Sequence, residues 1–229
     1  MKKKAVVVLS GGLDSTTCMG IAKEAGYEAY PLTFYYGQRH NKEVEQAKKI
    51  AAYYKVPEHR IVHLDFLKEI GGSALTDESI EVPVQNHAEG GDEIPSTYVP
   101  ARNLIFLSLA SAYAEVIGAE VIYIGVSAVD YSGYPDCRPA FIESMSETVQ
   151  LATKAGVKGA GLRIEAPLQH LSKKETIEYG LRLGVPYELS TSCYQGGEEA
   201  CGVCDSCRLR LKGFEDAGAV DPIAYVNQS

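Results

Sequence analysis

The sequence predicts an α/β fold in which helices cover both faces of a five-stranded parallel sheet. Short runs rich in β-branched residues alternate along the chain with amphipathic segments of helical period, which is the pattern of such a sheet. With 229 residues, 45% hydrophobic and 23% charged, the chain has the composition of an ordinary globular protein. We therefore expect one main domain over residues 1–188, with a small region over residues 189–229 packed on it.

The five strands are predicted at short apolar segments, namely residues 5–9, 28–34, 60–64, 121–125 and 163–166. Helices are predicted between them, over residues 14–25, 41–54 and 103–117 and from Ser172 onward. The helix over residues 103–117 is apolar almost all round, so we expect it to lie buried against the sheet. Ser172 and Glu175 have the spacing of a capping box, which marks the start of a helix.

Two long segments are predicted as loops. Residues 71–100 are rich in Gly, Pro, Ser and acidic residues and show no clear period, so they are a candidate lid. Residues 126–140 directly follow a predicted strand, and ligands of wound parallel sheets bind at the carboxyl ends of the strands. The second loop is therefore a candidate for substrate binding.

The charge balance argues against a broad nucleic-acid surface. The chain carries 22 Lys and Arg against 30 Asp and Glu, a formal net charge of -8, whereas phosphate backbones are bound by clustered cations. No apolar stretch approaches the roughly 20 residues that span a bilayer, and residues 5–9 are too short for a signal-peptide core. We expect a cytoplasmic protein that binds neither nucleic acid directly nor a membrane.

The stretch Ser10-Gly11-Gly12-Leu13-Asp14-Ser15 lies between a predicted strand and a predicted helix, where free amides and the helix dipole favour an anion. Glycines let phosphate oxygens approach the backbone, and the serines add hydroxyl donors. Asp14 would repel a polyphosphate unless Mg²⁺ lay between them. The alternative is a plain strand-to-helix turn. We expect a nucleotide to bind at Leu9, Ser10, Gly11, Gly12, Leu13, Asp14, Ser15, Thr16, Thr17, Cys18 and Met19.

This S-G-G-x-D-S stretch resembles the PP-loop of the N-type ATP pyrophosphatases, enzymes that cut ATP between the α and β phosphates. The resemblance implies a Rossmann-like fold of the adenine nucleotide alpha hydrolase type. It also implies that the loop holds pyrophosphate as it leaves and that the substrate is adenylated. Residues 1–188 would then be the ATP-binding and catalytic domain.

Four cysteines near the end of the chain have metal-ligand spacing. Cys193, Cys201, Cys204 and Cys207 follow the pattern C-x7-C-x2-C-x2-C, which can close a tetrahedral site around one zinc ion. A 4Fe–4S cluster is the rival, since closely spaced cysteine pairs also bind iron. With four protein ligands, a zinc ion would be structural and would fold the region over residues 189–229.

Four stretches together resemble the 7-cyano-7-deazaguanine synthases: residues 33–40 (TFYYGQRH), 99–103 (VPARN), 133–138 (GYPDCR) and the cysteine cluster. The resemblance implies the conversion of 7-carboxy-7-deazaguanine, ammonia and two ATP to the nitrile precursor of queuosine, two AMP and two pyrophosphate. It also implies a homodimer. Three residues depart from the pattern of the family: Leu13 where Gln is usual, Tyr35 where Asp is common, and Ala101 where Gly is frequent.

For such a reaction the candidate catalytic residues are Asp14, Ser15, Arg102 and Lys174. Arg102 stands at a helix start, where its guanidinium can bind phosphate or carboxylate. Lys174, or its neighbour Lys173, can neutralise phosphate charge. A carboxylate can accept both donors of the deazaguanine base, and tyrosines can stack on it. The candidate substrate-binding residues, all in the second loop, are Asp130, Tyr131, Tyr134, Asp136 and Arg138.

Several assignments stay open in the sequence. Cys137 lies beside Arg138, which can lower the pKa of a thiol, and His40 is a candidate general base. Two other functions share these motifs: a PP-loop enzyme that thiolates or lysinylates tRNA, and a zinc-stabilised nucleotide-binding regulator without turnover. The acidic charge balance counts against the first of them.

Overall fold

The predicted sheet is confirmed in a computed structural model, which describes residues 2–38, 41–77, 79–81, 94–127, 133–159 and 161–226. All pairings between neighbouring strands are parallel, in the order β3-β2-β1-β4-β5. The strands are β1 (Lys4–Val8), β2 (Glu28–Tyr35), β3 (Arg60–His63), β4 (Val121–Tyr123) and β5 (Arg163–Glu165). Each lies within about three residues of its predicted position.

The order of the strands creates a crevice at the end of β1. From β1 the chain builds β2 and β3 on one side and then β4 and β5 on the other, so that Val6 pairs with Tyr30 in β2 and Ile122 in β4. The connections that leave β1 and β4 diverge at this point, and a ligand can enter between them. The sheet therefore directs binding to the carboxyl end of β1.

Eight α-helices connect and flank the strands in the described part of the chain. They are α1 (Leu13–Glu24), α2 (Lys42–Tyr53), α3 (Phe66–Glu69), α4 (Arg102–Ile117), α5 (Pro139–Ala152), α6 (Lys154–Val157), α7 (Lys173–Arg182) and α8 (Asp205–Asp216). The predicted capping box at the start of α7 is confirmed: Glu175 N donates to Ser172 Oγ at 3.2 Å, and Ser172 N donates to Glu175 Oε2 at 2.8 Å.

Alternate residues of β1 pack on opposite faces of the sheet, as the period of a strand requires. Val6 and Val8 contribute to a core that includes residues of α4, whereas Val7 and Leu9 contribute to one that includes residues of α1 and α2. As predicted, α4 packs against the sheet, although one side of the helix is exposed. Leu107 and its neighbours face the sheet, but Val116 is 84% exposed.

A third apolar cluster connects α8, in the C-terminal region, with α7 and with α1, the helix that follows β1. Leu13 of α1, Ile177 of α7 and Phe214 of α8 pack around Tyr187 and Val185. This cluster crosses the predicted boundary between residues 188 and 189, so the C-terminal region is part of the same apolar core. Among the described residues, no helix is long and apolar enough to cross a bilayer.

Candidate active site

A cavity of about 260 Å³ opens at the carboxyl ends of the three central strands. Leu9 at the end of β1, Tyr36 after β2 and Gly125 after β4 line it, together with the first turns of α1 and α4. Both polar and apolar side chains line it. The cavity therefore lies where the strand order predicts a ligand, and it offers both a polar and an apolar end.

The loop between β1 and α1 forms the polar end. Ser10 Oγ and Ser15 Oγ lie 3.1 Å apart, Gly12 N donates to Ser10 Oγ at 3.2 Å, and Ser15 Oγ donates to Gly12 O at 3.1 Å. Both serines line the cavity. Because the first amides of a helix have no partner within the helix, the loop and the first turn of α1 together form an anion site.

Two glycines are required for the close packing of this loop. Gly11 has a φ of +89°, and a Cβ there would lie 2.2 Å from the Glu43 carbonyl oxygen in α2. A Cβ on Gly125, after β4, would lie 2.8 Å from the Ser15 amide nitrogen. Any larger side chain at either position would push neighbouring backbone away from the anion site.

An ion pair joins the loop to α7. Lys173 Nζ donates to Asp14 Oδ1 at 2.9 Å and to Oδ2 at 2.7 Å, with the two side chains only 16% and 20% exposed. Lys173 lines the cavity. Lys174, the predicted catalytic lysine, points away, with its Nζ 3.8 Å from Glu178. We therefore correct this assignment, because successive residues of a helix lie about 100° apart and only Lys173 faces the loop.

Arg102 and aromatic rings form the opposite wall. Arg102 Nη1 donates to the Tyr36 hydroxyl at 3.3 Å. Burial disfavours the charge of Arg102, but the phenol oxygens of Tyr36 and Tyr134 outweigh it and raise the pKa, so Arg102 stays a cation. The stacked rings of Phe34 and Phe106, 4.0 Å apart, also line the cavity. This wall offers a cation and a flat apolar surface that suits a purine-like ring.

Of the predicted substrate-binding residues, Tyr134 lines the cavity. Its hydroxyl lies 2.8 Å from Thr97 Oγ1, and its ring stacks on Tyr98 with centres 6.1 Å apart. Tyr134 therefore connects the second predicted loop to the end of the first. Asp130 and Tyr131 lie outside the described residues, as do His40 and residues 82–93 of the candidate lid.

The structure gives Asp136 and Arg138 structural positions instead of contacts with the cavity. Asp136 Oδ2 accepts from Asn103 N at 2.7 Å and so caps α4, and burial raises the pKa of Asp136. Arg138 is exposed just before α5. Neither side chain lines the cavity, and their roles in substrate binding stay predictions. Cys137 does line the cavity, where its Sγ accepts from Asn103 Nδ2 at 3.2 Å.

The predicted nucleotide-binding residues divide into those that line the cavity, Gly11, which is packed against α2, and four residues of α1. Those that line the cavity are Leu9, Ser10, Gly12, Leu13, Asp14 and Ser15. Thr16 and Thr17 hydroxyls donate to backbone carbonyls one turn back at 2.7 and 2.9 Å, and Cys18 and Met19 are fully buried. These four residues support α1 and are not placed at the cavity. Burial raises the pKa of the Cys18 thiol, which makes it a poor nucleophile.

Comparison with known families was made over the whole chain. Residues 4–218 match the family model described as "Queuosine biosynthesis protein QueC". The chain belongs to the QueC family.

Two relatives of this QueC chain are named 7-cyano-7-deazaguanine synthase. The protein from Oceanobacillus iheyensis is 64% identical over 224 residues, covering 98% of this chain and 99% of the relative. The protein from Desulfitobacterium hafniense is 62% identical over 226 residues, covering 99% and 94%. Among solved structures, NMN synthetase from Francisella tularensis has a TM-score of 0.50 at 16% identity, covering 96% of this chain and 79% of that one. The last likeness shows the fold alone.

The four predicted metal ligands of this QueC chain come together. The Sγ atoms of Cys193, Cys201, Cys204 and Cys207 lie within 4.8 Å of one another. Backbone amides donate to two of them, Cys201 N to Cys193 at 3.3 Å and Cys204 N to Cys201 at 3.4 Å. A hydrogen bond from Cys207 lowers the pKa of Cys204 to about 5. Four thiols at this separation fit one tetrahedral ion with bonds of about 2.3 Å.

The sequence interpretation missed part of the cavity wall that lies next to this cluster. Thr191, Ser192 and Tyr194 line the cavity from the segment that precedes and follows the first ligand, and Ser206 and Leu209 of α8 extend the wall. The hydroxyl-rich run 190–192 was the available signal. Glu43 of α2 also lines the cavity.

Proposed function

We propose that this QueC chain is an ATP-dependent ligase that converts 7-carboxy-7-deazaguanine, ammonia and two ATP to 7-cyano-7-deazaguanine, two AMP and two pyrophosphate. The observation that carries the proposal is the family match over residues 4–218, which includes every described wall of the cavity. The polar end suits the phosphates of ATP, and the stacked aromatic wall suits the deazaguanine ring.

The loop between β1 and α1, residues 10–15, is here called the phosphate loop. It binds the β and γ phosphates of ATP through its amides and through the hydroxyls of Ser10 and Ser15. Lys173 adds a cation at the same end of the cavity. Asp14, whose oxygens accept from Lys173, is a carboxylate at the same end of the cavity, and carboxylate oxygens are ligands that suit Mg²⁺ brought in with ATP. Bound Mg²⁺ would neutralise charge on the phosphates.

Arg102 binds the carboxylate of the substrate near the α-phosphate. That carboxylate attacks the α-phosphorus, and pyrophosphate leaves into the loop. Ammonia then displaces AMP from the acyl-adenylate to give the amide. The amide oxygen then attacks the α-phosphorus of a second ATP with release of pyrophosphate and of one proton from nitrogen, and loss of AMP with the second proton leaves the nitrile. One cavity serves both halves, since both need the same geometry around the α-phosphorus.

Glu43 accepts the protons that ammonia and the amide must lose. Among the described residues, Asp14 and Glu43 are the two carboxylates that line the cavity, and Asp14 is neutralised by Lys173. Glu43 stands in the first turn of α2 and lines the same cavity as Tyr36 and Arg102. A carboxylate there can take a proton from ammonium or from the developing imidate.

The cysteine cluster binds one structural zinc ion, and the protein works in the cytoplasm as a homodimer. An exposed apolar surface supports the dimer. Val116 of α4, Leu151 of α5 and Val157 of α6 are 84%, 82% and 76% exposed, and Lys154 N of α6 donates to Glu115 of α4 at 2.9 Å, so the three elements adjoin. Sedimentation of Leu151→Asp at several concentrations tests this: a variant as dimeric as the parent would exclude this surface.

The activity is tested by mass spectrometry of the purified protein with 7-carboxy-7-deazaguanine, ATP and ammonium. We expect the nitrile, with AMP and pyrophosphate, only when ATP and ammonium are both present. ADP and phosphate as products, or turnover that needs added tRNA, would exclude the proposed reaction.

The role of Glu43 is tested by replacing ammonium with hydroxylamine, a nucleophile that is neutral at pH 7. We expect Glu43→Gln to lose at least about tenfold in amide formation from ammonium, yet to form the hydroxamate at nearly the parent rate. The matched control is Glu45→Gln, an exposed residue of α2 paired with Lys48. Equal losses with both nucleophiles would assign Glu43 to another role.

A further inference from the structure

The C-terminal region hydrogen-bonds directly to the phosphate loop. Thr191 N donates to Gly11 O at 2.9 Å, and Gly12 and Thr191 form an isolated parallel bridge. Gly11 O and Gly12 N–H belong to one planar peptide, in which they point to opposite sides. Holding the carbonyl on Thr191 therefore turns the Gly12 amide towards Ser10 Oγ, 3.2 Å away, at the anion site.

This orientation needs an external constraint. Rotation of the peptide between Gly11 and Gly12 changes ψ of Gly11 and φ of Gly12, and with a glycine on each side no Cβ opposes that rotation. Rotation of the peptide between Gly11 and Gly12 would exchange a donor for a carbonyl oxygen at the pyrophosphate position. The Thr191 amide opposes that rotation, because rotation would break its hydrogen bond.

Arg210 of α8 fixes the segment that carries Thr191. Its Nη1 donates to Ser190 Oγ at 2.7 Å, and its Nη2 donates to Tyr187 O at 3.1 Å. The guanidinium also forms two bonds to Asp221, at 2.7 and 2.9 Å, and the side chains of this pair are 2% and 4% exposed. Four of the five N–H donors of Arg210 are thus used within the protein.

The other side of the segment is fixed by Tyr187. Its hydroxyl lies 2.8 Å from Thr17 Oγ1 in α1, the helix that follows the phosphate loop. Its ring packs edge-on against Phe214 of α8. Residues 187–191 are therefore held between the helix of the phosphate loop and the helix of Arg210.

We propose that Arg210 is a positioning residue for pyrophosphate: through Ser190 and the Tyr187 carbonyl it holds the Thr191 amide on Gly11, and so directs the Gly12 amide into the site. The inference rests on the proposed function, since it assigns the loop to pyrophosphate. It requires that loss of Arg210 weakens binding of the diphosphate group and leaves binding of AMP intact.

The test compares Arg210→Met with Arg208→Met, which removes an exposed arginine from the same helix. Calorimetry gives the Kd of Mg-pyrophosphate and of AMP for each protein in its zinc-loaded form. We expect Arg210→Met to raise the Kd of pyrophosphate about tenfold, the cost of roughly one misdirected donor. The Kd of AMP should change less than about twofold, and Arg208→Met should match the parent in both.

Arg210→Met leaves Asp221 buried without its partner and can fail to fold. Ser190→Ala then serves, because it removes two hydrogen bonds, the one from Arg210 Nη1 and the one to Tyr187 O, and no charge; we expect about a threefold rise in the pyrophosphate Kd. The pyrophosphate Kd of Arg210→Lys should lie between that of the parent and that of Arg210→Met, since an ammonium cannot form the paired hydrogen bonds of a guanidinium. Parent affinity for pyrophosphate in Ser190→Ala and in any folded Arg210 variant, or equal losses for pyrophosphate and AMP, would overturn the inference. A parent protein that binds AMP but no pyrophosphate would overturn the proposed function as well.

Discussion

Ala101 holds a backbone conformation that favours glycine. Its φ of +55° and ψ of +21° place it in the left-handed region immediately before α4, and its amide donates to the Tyr98 hydroxyl at 3.0 Å. This turn sets the direction in which Arg102 enters the cavity. The departure from the glycine that is frequent in the family thus falls on a residue that the fold strains.

Replacing Ala101 by glycine should stabilise the protein. Relief of the left-handed penalty, about 1–2 kcal/mol, is partly offset by greater chain entropy in the unfolded state, so we expect a net gain of about 0.5–1 kcal/mol. Urea unfolding measures the change. The control Ala152→Gly, at an exposed helix end, should not stabilise. A lower free energy of unfolding for Ala101→Gly than for the parent would contradict the presence of backbone strain at Ala101.

His59 gives the protein a pH-dependent contribution to stability. Its Nε2 lies 2.8 Å from Thr33 Oγ1, which donates to Leu9 O at 2.6 Å. Burial, with a smaller effect of Lys48, lowers the pKa of His59. The unfolded chain therefore binds the proton more readily, and stability is lost as pH falls through about 6.5 to the lower folded value.

We expect His59→Gln, which keeps a donor for Thr33, to be less sensitive to pH between 7 and 5 than the parent. The free energy of unfolding of the parent should fall more steeply over this interval when measured by urea titration at each pH. Parallel curves for parent and variant would show that His59 does not titrate differently on folding.

At the scale of elements, α7 places one of two adjacent lysines at the phosphate loop. Lys173 pairs with Asp14, whereas Lys174 lies towards solvent near Glu178. We expect Lys173→Met to reduce kcat/KM for ATP by about 10²-fold, and Lys174→Met by less than about twofold. AMP release at varied ATP measures both. Similar losses in the two variants would reject the assignment.

The same helix illustrates what sequence can predict about elements. The capping box at Ser172 was predicted because its signal is local, between two residues three positions apart. The choice between Lys173 and Lys174 was wrong because it depends on the rotation of α7 about its axis. That rotation is set by packing of Ile177 against Leu13 and Phe214, contacts distant in the chain. Likewise, the apolar composition of α4 did not reveal that one side stays exposed.

At the scale of the whole molecule, the cysteine cluster is joined to the cavity wall by a short backbone segment and by hydrogen bonds. The segment from Thr191 to Cys193 passes from the phosphate loop to the first ligand, and Cys207 lies one turn before Arg210 in α8. Lys42 at the start of α2 also donates to the carbonyls of Gly197 and Glu198 in the loop between ligands. A metal ion held by these cysteines would therefore shape the cavity wall.

Removal of the metal should unfold this wall. We expect one zinc per chain, and we expect chelation to lower the midpoint of thermal unfolding, to expose residues after 189 to protease and to weaken ATP binding at least tenfold. Metal analysis, limited proteolysis and calorimetry measure these effects, with added zinc restoring all three. Iron and sulfide in the purified protein, or unchanged ATP binding after chelation, would contradict the expectation.

The sequence predicted best those features whose pattern lies within a few neighbouring residues. The five strands, the phosphate loop, the cysteine cluster and the family were all predicted, and the sheet, the cluster and the family are confirmed. The wall formed by Thr191 and Tyr194 was missed, since it depends on the return of the chain to β1. That Asp136 and Arg138 do not line the cavity could not be predicted, because a short polar loop has no periodicity that indicates which side chains face inward.

The bridge between Gly12 and Thr191 has a consequence for biosynthesis of the protein. Gly12 and Thr191 are synthesised at well separated times, because ribosomes add about 5–20 residues per second from the N-terminus. A nascent chain arrested before Thr191 would have β1 to β5 but not the bridge partner of Gly12, so nucleotide capture should begin only after Thr191 has left the ribosome.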